Sequence, residues 1–456
     1  MTSERAGAPV DEATEGEPAP REPTAGERGA GEPAPGQPAF ADTTQGKPPL
    51  VDVPPPQITK RHAWIILGGA FTTFAVGAGF MHAYTVFLVE FLRDFAWSRA
   101  EVSVAYAVGQ VVGGASSPLV GMLVDRLGPR RLVLMGGALL IAGLATSAGI
   151  HALWQSVVLY GIVMTLGANC LGMVVFVPVL SRLFVRQRGM AIAILQSANG
   201  FGRAASAPLS QLLIEGVGWR PTYLIQAAFM AVVVLPLAAL FRRADTVSAV
   251  PPPSRLAVAV RNWTLLEAMK SRQFWLLFLV YLCTGIGSFL VSLHQLAFAV
   301  DMGFDKLYAA TVLGMGSFLS IPGIIVTGTV SDYVGREISA MLTYGVSIAG
   351  TACALLITGP DQHLLLWLFA CLFGLTWGAR GPAITAKAAD LFPGRQLGVI
   401  LGVITIGSGV GSGVGAWGAG LIFDLSGSYK LAFVLSMIAY ALGCVAFWAL
   451  RDRKPR

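Results

Sequence analysis

From Ala63 onward the chain alternates long apolar runs with short polar stretches. A helix needs about 20 residues to cross the hydrocarbon core of a bilayer, which is roughly 30 Å thick. Because that core offers no partners to an exposed backbone, each run is expected to be helical. The pattern predicts an all-α membrane protein with twelve transmembrane helices. The expected spans are 63–89, 101–123, 132–150, 153–181, 189–215, 221–241, 273–299, 308–330, 338–358, 363–390, 397–422 and 430–450.

Residues 1–59 follow a different pattern. They carry ten acidic and four basic side chains among many Pro, Gly, Ala and Thr. Such a segment buries too little apolar surface to offset the entropy lost on ordering. It also lacks the basic stretch and apolar core of a secretory signal. We expect a disordered cytosolic tail.

The composition agrees with a membrane protein. Hydrophobic residues make up 54% of the chain and charged residues 12%, whereas about a quarter of the residues of soluble proteins are charged. The net charge of +7 does not indicate a nucleic-acid partner, because the basic residues lie between the apolar runs rather than on one face or tail. Twenty Lys and Arg residues flank one side and five the other. This asymmetry predicts a multi-pass protein of the plasma membrane, such as a bacterial inner membrane, with both termini cytosolic.

The sequence offers no support for an enzyme or a receptor. The five cysteines are scattered through apolar runs without C-x-x-C spacing, and no Walker sequence or metal-ligand cluster is present. We therefore expect no metal, no cofactor and no catalytic residues. A receptor would need a folded soluble domain, which the tail does not supply.

A short motif recurs in the chain and indicates an internal duplication. Three residues return at one offset of 207 positions. These are Gly121, Asp125 and Gly128, which recur as Gly328, Asp332 and Gly335. We predict a first six-helix half over 60–241 and a second over 273–456, joined by a cytosolic linker over 242–272. Within the linker, apolar residues among Arg and Lys predict an amphipathic surface helix.

The stretch from Gly121 to Arg131 reads G-x-x-x-D-R-x-G-x-R-R, and with twelve spans and a central linker it resembles the major facilitator superfamily. Within that superfamily, the segments 184–191 and 95–103 resemble the monocarboxylate transporter and oxalate/formate exchanger branch. The resemblance implies a monomeric transporter in which two halves rock about a site near the bilayer midplane.

Both copies of the motif are predicted to form a cytosolic gate. Its arginines would meet acidic groups or helix carbonyl ends, and its glycines permit close approach and a tight turn. We expect a latch that favours the outward-open state; the alternative is that these charges only fix topology. The gating residues are Gly121, Asp125, Arg126, Gly128, Arg130, Arg131, Asp332 and Arg336.

Charged residues at bilayer depth mark transport pathways, because they are costly to bury. Arg203 and Arg380 lie near the middle of spans five and ten, and no acidic residue lies in the centre of any span. Cations without a counter-charge suit an anion, whose carboxylate arginine holds through two hydrogen bonds. Each arginine also has a purely structural interpretation, as a partner of neighbouring polar groups. We predict substrate contacts from Arg380, Arg203, Asn169, Trp377 and Tyr84.

His82 and His294 occupy related positions in the outer parts of spans one and seven. Histidine titrates near physiological pH, so either residue is a candidate for the coupling proton, and either is equally readable as a buried structural histidine. The usual Asp and Arg of span eight in monocarboxylate carriers are missing from 308–330, and the exchanger's lysine is missing from 397–422. Proton symport and anion exchange therefore both stay open.

These observations predict a secondary active transporter of a small organic anion, with a monocarboxylate as the leading substrate class. Its partners would be the anion, a proton or counter-anion, and the lipid bilayer. The alternative is an exporter of larger amphipathic compounds, favoured by the many glycines of span eleven. Such glycines also serve as close-packing surfaces between helices.

Overall fold

The computed structural model describes residues 59–184, 187–242, 263–393 and 396–451, apart from the side chains of Asp125, Arg188, Thr329 and Asp332. All regular elements in this part of the chain are helical, and we number the long segments α1–α12. The segments of the first half are α1a Lys60–His82, α1b Tyr84–Phe95, α2 Arg99–Leu127, α3 Pro129–Ser147, α4 within Leu153–Leu183, α5 Arg188–Val217 and α6 Trp219–Leu237. The segments of the second half are α7a Arg272–Ser292, α7b Gln295–Asp301, α8a Lys306–Phe318, α8b Ser320–Val334, α9 Arg336–Leu355, α10a His363–Leu375, α10b Arg380–Leu391, α11 Leu397–Ser426 and α12 Lys430–Trp448.

Eleven of these segments are long and apolar enough to cross a membrane, which confirms the predicted all-α membrane fold. The remaining segment, α5, has 30 residues and is about 45 Å long at 1.5 Å per residue. It is more polar than the others because it carries Gln196, Asn199, Arg203 and Gln211. The tail over 1–58 and most of the linker, 243–262, lie outside the described residues. The described end of the linker forms a short helix, Leu265–Met269, capped by Thr264 and Glu267.

Several segments are interrupted within the membrane. α1 breaks at Ala83, and α7 breaks at Leu293 and His294. α10 breaks between Leu375 and Arg380, where Gly378 adopts a φ of +75°. α4 contains a π-helical stretch, Val157–Met164, and a break before Met173. Interrupted helices are typical of transport sites, because they release backbone groups and change the direction of side chains.

The two halves meet along two antiparallel helix pairs, α2 with α11 and α5 with α8. Small residues allow the backbones to approach closely. A Cβ atom added at Gly420 would lie 2.6 Å from the Arg99 carbonyl oxygen, and one at Gly413 would lie 3.1 Å from that of Ala107. Other α11 glycines, such as Gly407, pack against α7 in the same way. Most of the glycines that favoured the exporter alternative thus have a packing role, on two faces of α11, whereas Gly402 and Gly418 meet nothing within 4 Å.

We call the end of the bundle that carries Gly121–Arg131 the motif end and the end that carries Arg99 the far end. Ser98 and Glu101 form a capping box that starts α2 at the far end. At the motif end, Gly128 and Gly335 begin α3 and α9 with φ values of +78° and +91°. The duplicated motif therefore makes the same left-handed turn twice, a conformation that glycine adopts without steric cost.

Candidate transport site

Arg203 lies at the interface between the halves. Its guanidinium carbon is 3.9 Å from the centroid of the Trp377 ring, which projects from the break in α10. Trp377 contacts Phe289 of α7 edge to face at 5.4 Å, and Phe289 lies 5.8 Å from Tyr106 of α2. Both halves therefore contribute to one cluster, the Arg203 cluster, which consists of Arg203, Trp377, Phe289 and Tyr106.

Arg203 is 8% exposed, and its Nη1 is buried without a hydrogen-bond partner among the described residues. Leaving a buried charged donor unpaired is costly, because water no longer satisfies it. The stack on Trp377 compensates through cation–π attraction but does not use the hydrogen atoms of Nη1. The geometry thus leaves a donor available to an acceptor from outside the chain.

Local packing explains how α5 presents Arg203. The preceding residue, Gly202, contacts α1 so closely that a Cβ atom there would collide with the Ala75 carbonyl. Gly79 of α1 packs against Gly202 as well, because a Cβ atom added at Gly79 would lie 3.0 Å from the Gly202 carbonyl oxygen. This contact fixes the rotation of α5 on α1, and Arg203 then lies against the second half.

A small cavity of about 20 Å³ adjoins Arg203. His82 and Tyr106 line it from the first half, and Gln295 and Ser317 line it from the second. A volume of this size holds about one water molecule, since one water needs roughly 10–15 Å³. A molecule larger than water therefore fits here only if the lining residues move apart.

A much larger groove of about 540 Å³ lies between α1, α5 and α6. Its walls are apolar, and residues such as Phe201 and Leu209 are about half exposed, at 49% and 57%. The charged Arg203 is not among its lining residues. The groove is therefore apolar and separate from the charged Arg203 cluster.

Arg380, the other predicted substrate ligand, lies inside the second half. Its guanidinium carbon is 4.8 Å from the Tyr344 ring centroid and 4.7 Å from that of Tyr440. Its Nη1 donates to Ser347 Oγ at 2.7 Å and to the Thr343 carbonyl at 3.3 Å. Trp377, three residues before Arg380, does not share a helix face with it, because Gly378 turns the chain between the two residues.

Tyr84 and Asn169 lie inside the first half and do not line the small cavity. The Tyr84 hydroxyl donates to the Val102 carbonyl at 2.8 Å. Asn169 Nδ2 donates to the Gly113 carbonyl at 2.8 Å and to Ser116 Oγ at 2.7 Å. Both side chains thus bond helices α1 and α4 to α2.

The two histidines have different surroundings. His82 lines the cavity beside Arg203. His294 is fully buried; its Nδ1 lies 3.1 Å from the Tyr429 hydroxyl, and its Nε2 lies 3.0 Å from the Ala416 carbonyl and 3.1 Å from Ser103 Oγ. The structure therefore brings His82 to the Arg203 cluster and His294 to the closed far end.

Polar contacts close the far end across the two halves. Arg99 pairs with Asp301 at 2.8 Å, and Lys306 pairs with Glu90 at 2.8 Å. In the sequence these residues are only loop or helix-end charges, since nothing local reveals a partner about 200 positions away. Arg99, within the segment 95–103 that carries the family resemblance, is one of the residues that join the halves.

At the motif end, the described ion pairs stay within the second half. Arg336 pairs with Asp390, and Lys387 pairs with Glu337 at 2.9 Å. The two charges of α10b, Lys387 and Asp390, lie three residues apart, and each pairs with an opposite charge of α9. Arg126 and Arg131 of the first motif are exposed. The Asp125 and Asp332 side chains lie outside the described part, so the latch stays a prediction.

Comparison with known proteins agrees with this architecture. The chain is 26% identical over 379 residues to monocarboxylate transporter 13 of Rattus norvegicus, covering 82% of this chain and 85% of that protein. It is 24% identical over 339 residues to the oxalate:formate antiporter of Oxalobacter formigenes, covering 72% and 77%. The crystal structure of a mutant of the nucleoside transporter NupG matches with a TM-score of 0.71 at 12% identity, covering 86% and 100%, which supports the fold alone. The family profile described as Major Facilitator Superfamily matches residues 69–404. The chain is a membrane transport protein that belongs to the major facilitator superfamily.

Proposed function

We propose that the protein is a secondary transporter of a small organic anion, with a monocarboxylate as the leading substrate class, and that Arg203 binds the carboxylate. The observation that carries this proposal is the buried Nη1 of Arg203, which has no hydrogen-bond partner among the described residues and lies between the halves. A carboxylate supplies the missing acceptor and the opposite charge.

The surroundings of Arg203 favour an anion with a short apolar body. Trp377 and Phe289 offer ring faces and edges, and Tyr106 adds a hydroxyl. His82 lines the same cavity and provides a further donor. The described acidic side chains lie near helix ends, as Glu90, Asp301 and Glu337 do, so no fixed negative charge competes with the substrate.

Arg380, Asn169 and Tyr84 are assigned to positioning helices rather than to the substrate, because internal partners occupy their polar atoms. The relatives named as monocarboxylate transporters and as an oxalate:formate antiporter support the substrate class. We place the protein as a monomer in a bacterial inner membrane, with the motif end and both termini cytosolic. In that orientation the closed far end, where Arg99 pairs with Asp301, faces away from the cytosol.

The test is uptake by purified protein in proteoliposomes, using a panel of labelled mono- and dicarboxylates and an amphipathic cation. We expect a monocarboxylate to be transported, and we expect Arg203→Ala to abolish this uptake. The matched control is Arg61→Ala, an exposed arginine at the start of α1a. Normal uptake by Arg203→Ala would exclude this site, and transport of the amphipathic cation alone would establish the exporter alternative.

The coupling mode is tested in the same vesicles. Uptake driven by an inwardly directed proton gradient, without internal anion, indicates symport. Uptake that requires a preloaded anion and ignores the pH gradient indicates exchange. A protonophore separates the two outcomes. It abolishes uptake that is driven by the proton gradient, and it leaves uptake by anion exchange unchanged.

A further inference from the structure

The far end is closed by one connected group of residues, which we call the far gate: Arg99, His294, Asp301, Asp424 and Tyr429. Only Arg99 belongs to the first half. Arg99 contacts Asp301, Asp424 and Tyr429 of the second half, and its neighbours Ala100 and Ser103 add hydrogen bonds to Asp424 and His294. Lys306 and Glu90 form a separate clasp beside it.

Arg99 is held by both its side chain and its backbone. Nη2 lies 2.8 Å from an Asp301 oxygen, and Nη1 donates to the Tyr429 hydroxyl at 2.5 Å. The backbone N–H groups of Arg99 and Ala100 donate to the two Asp424 oxygens at 3.0 and 2.7 Å. Asp424 of α11 thus satisfies donors at the start of α2 that have no partner within their own helix.

The hydrogen bonds around His294 define its protonation state in the closed gate. The Ala416 carbonyl only accepts, so Nε2 carries a hydrogen. The Tyr429 oxygen accepts from Arg99 and its hydrogen is directed to His294 Nδ1, which therefore accepts. The Ser103 hydroxyl donates its hydrogen to the Arg99 carbonyl at 2.6 Å. The lone pairs of Ser103 Oγ therefore remain to accept from His294 Nε2. A neutral imidazole with hydrogen on Nε2 satisfies every one of these bonds.

A second proton on His294 disturbs this arrangement. The new N–H at Nδ1 would point at the hydrogen of the Tyr429 hydroxyl. The two hydrogens repel each other, so the Tyr429 hydroxyl must rotate away and its hydrogen bond to Nδ1 is lost. The added positive charge also lies near Arg99. Asp301 and Asp424 are negative, but their described hydrogen bonds go to Arg99 and Ala100 rather than to His294. The ring is fully buried, where no water stabilises an imidazolium ion.

We propose that His294 is the proton-sensitive element of the far gate: the closed gate binds the neutral imidazole, and a proton taken from far-side water onto Nδ1 favours the open gate. The proton is returned to water when the gate closes again, so the atoms balance without a further reactant. This inference rests on the alternating access of the proposed function but not on the identity of the anion. It assigns gating to His294 and leaves His82 with the substrate site.

The size of the effect follows from linkage. A histidine exposed to water in the open gate titrates near pH 6.5, whereas the closed gate binds only the neutral form. The ratio of open to closed gate is then proportional to one plus the ratio of protonated to neutral His294 in the open gate. When the pH falls from 7.5 to 5.5, the ratio of open to closed gate rises about tenfold.

The experiment measures far-side access to the cavity. Ala207 lines the cavity from α5 and lies outside the far gate, so Ala207→Cys reports opening when a membrane-impermeant maleimide is added from the far side at a series of pH values. Maleimide reacts with the cysteine thiolate, whose fraction changes with pH. Each labelling rate is therefore divided by the rate of a solvent-exposed reference cysteine at the same pH. We expect opening to increase about tenfold from pH 7.5 to 5.5, as linkage requires.

Three variants decide the result. His294→Gln keeps a neutral donor and acceptor, and we expect it to abolish the pH response. His363→Gln, a far-end histidine outside the gate, is the matched control and should retain the response. Tyr429→Phe removes the bridging hydroxyl, and we expect fast labelling at every pH. An unchanged pH response in His294→Gln, or a flat response in the parent protein, would overturn the proposal.

Failure of the proposed function gives a different pattern. Arg203→Ala in the Ala207→Cys background tests substrate binding without touching the far gate. If this variant transports normally while labelling still depends on pH through His294, the anion site is wrong and the gate assignment stands.

Discussion

Replacing Arg203 by lysine gives a quantitative test of the substrate site. Lysine keeps the positive charge but loses the planar fork and most of the stack on Trp377, whose ring centroid lies 3.9 Å from the guanidinium carbon. Losing one charge-assisted hydrogen bond costs about 1.5–3 kcal/mol, and losing a desolvated cation–π contact costs about 1–2 kcal/mol. A total of about 3 kcal/mol corresponds to an increase in Kd of about 100-fold.

The assay is equilibrium binding of the best-transported labelled monocarboxylate to purified protein. Trp377→Leu removes only the stack, so we expect a rise in Kd of about tenfold. Because the two side chains touch, the double variant Arg203→Lys with Trp377→Leu should cost less than the sum of the single changes, by about 1 kcal/mol. Arg61→Lys, at the exposed start of α1a, serves as the control.

Two results would refute this reasoning. An unchanged Kd in Arg203→Lys would mean that the fork does not hold the carboxylate. Strict additivity of the two substitutions would mean that Trp377 does not act through Arg203. Thermal unfolding of each variant in the absence of ligand separates a loss of binding from a loss of folded protein.

Three further predictions concern the gate and the packing of the halves. Asp424→Asn removes the charge that caps α2, and we expect the maleimide labelling of Ala207→Cys to rise several-fold, as loss of about 1 kcal/mol predicts; unchanged labelling would contradict this role. Gly420→Ala places a Cβ atom 2.6 Å from the Arg99 carbonyl oxygen and should slow transport by preventing far-end closure. Gly418→Ala, whose Cβ atom meets nothing within 4 Å, should not slow transport. Equal transport rates in the two variants would refute the close-packing argument. Arg380→Met should lower the melting temperature, because it removes about 1–3 kcal/mol of buried hydrogen bonding. The folded fraction of this variant should keep the Kd of the parent protein for the monocarboxylate. A raised Kd at an unchanged melting temperature would instead place Arg380 at the substrate.

The apolar pattern was sufficient to predict the helices, because a bilayer imposes both a length and a closed hydrogen-bond pattern on every crossing segment. The boundaries were less accurate: the first span, expected to end at residue 89, runs to Phe95. Its outer part remains helical because Val86, Phe87 and Phe91 pack into the core. Periodicity does not show where such packing will continue a helix past its apolar run.

The breaks within helices were harder to predict. Glycine and proline near residue 380 indicated a loosened helix, but not which glycine would adopt a positive φ. Once Gly378 does so, the residues on either side no longer share a face. For this reason Trp377 contacts Arg203, while Arg380 lies inside the second half.

The amino-acid pattern alone predicted the membrane-spanning helices, the repeated Gly121 motif and the positive sign of the few deep charges. The packing of the helices was needed to show that Arg203 lies between the halves while Arg380 is enclosed by Tyr344 and Tyr440. Both arginines lie near the middle of a glycine-containing span, so local pattern cannot separate them. The same is true of the far gate, where Arg99 meets residues 202 to 330 positions away. Such contacts depend on the packing of whole helices, which no local stretch of sequence encodes.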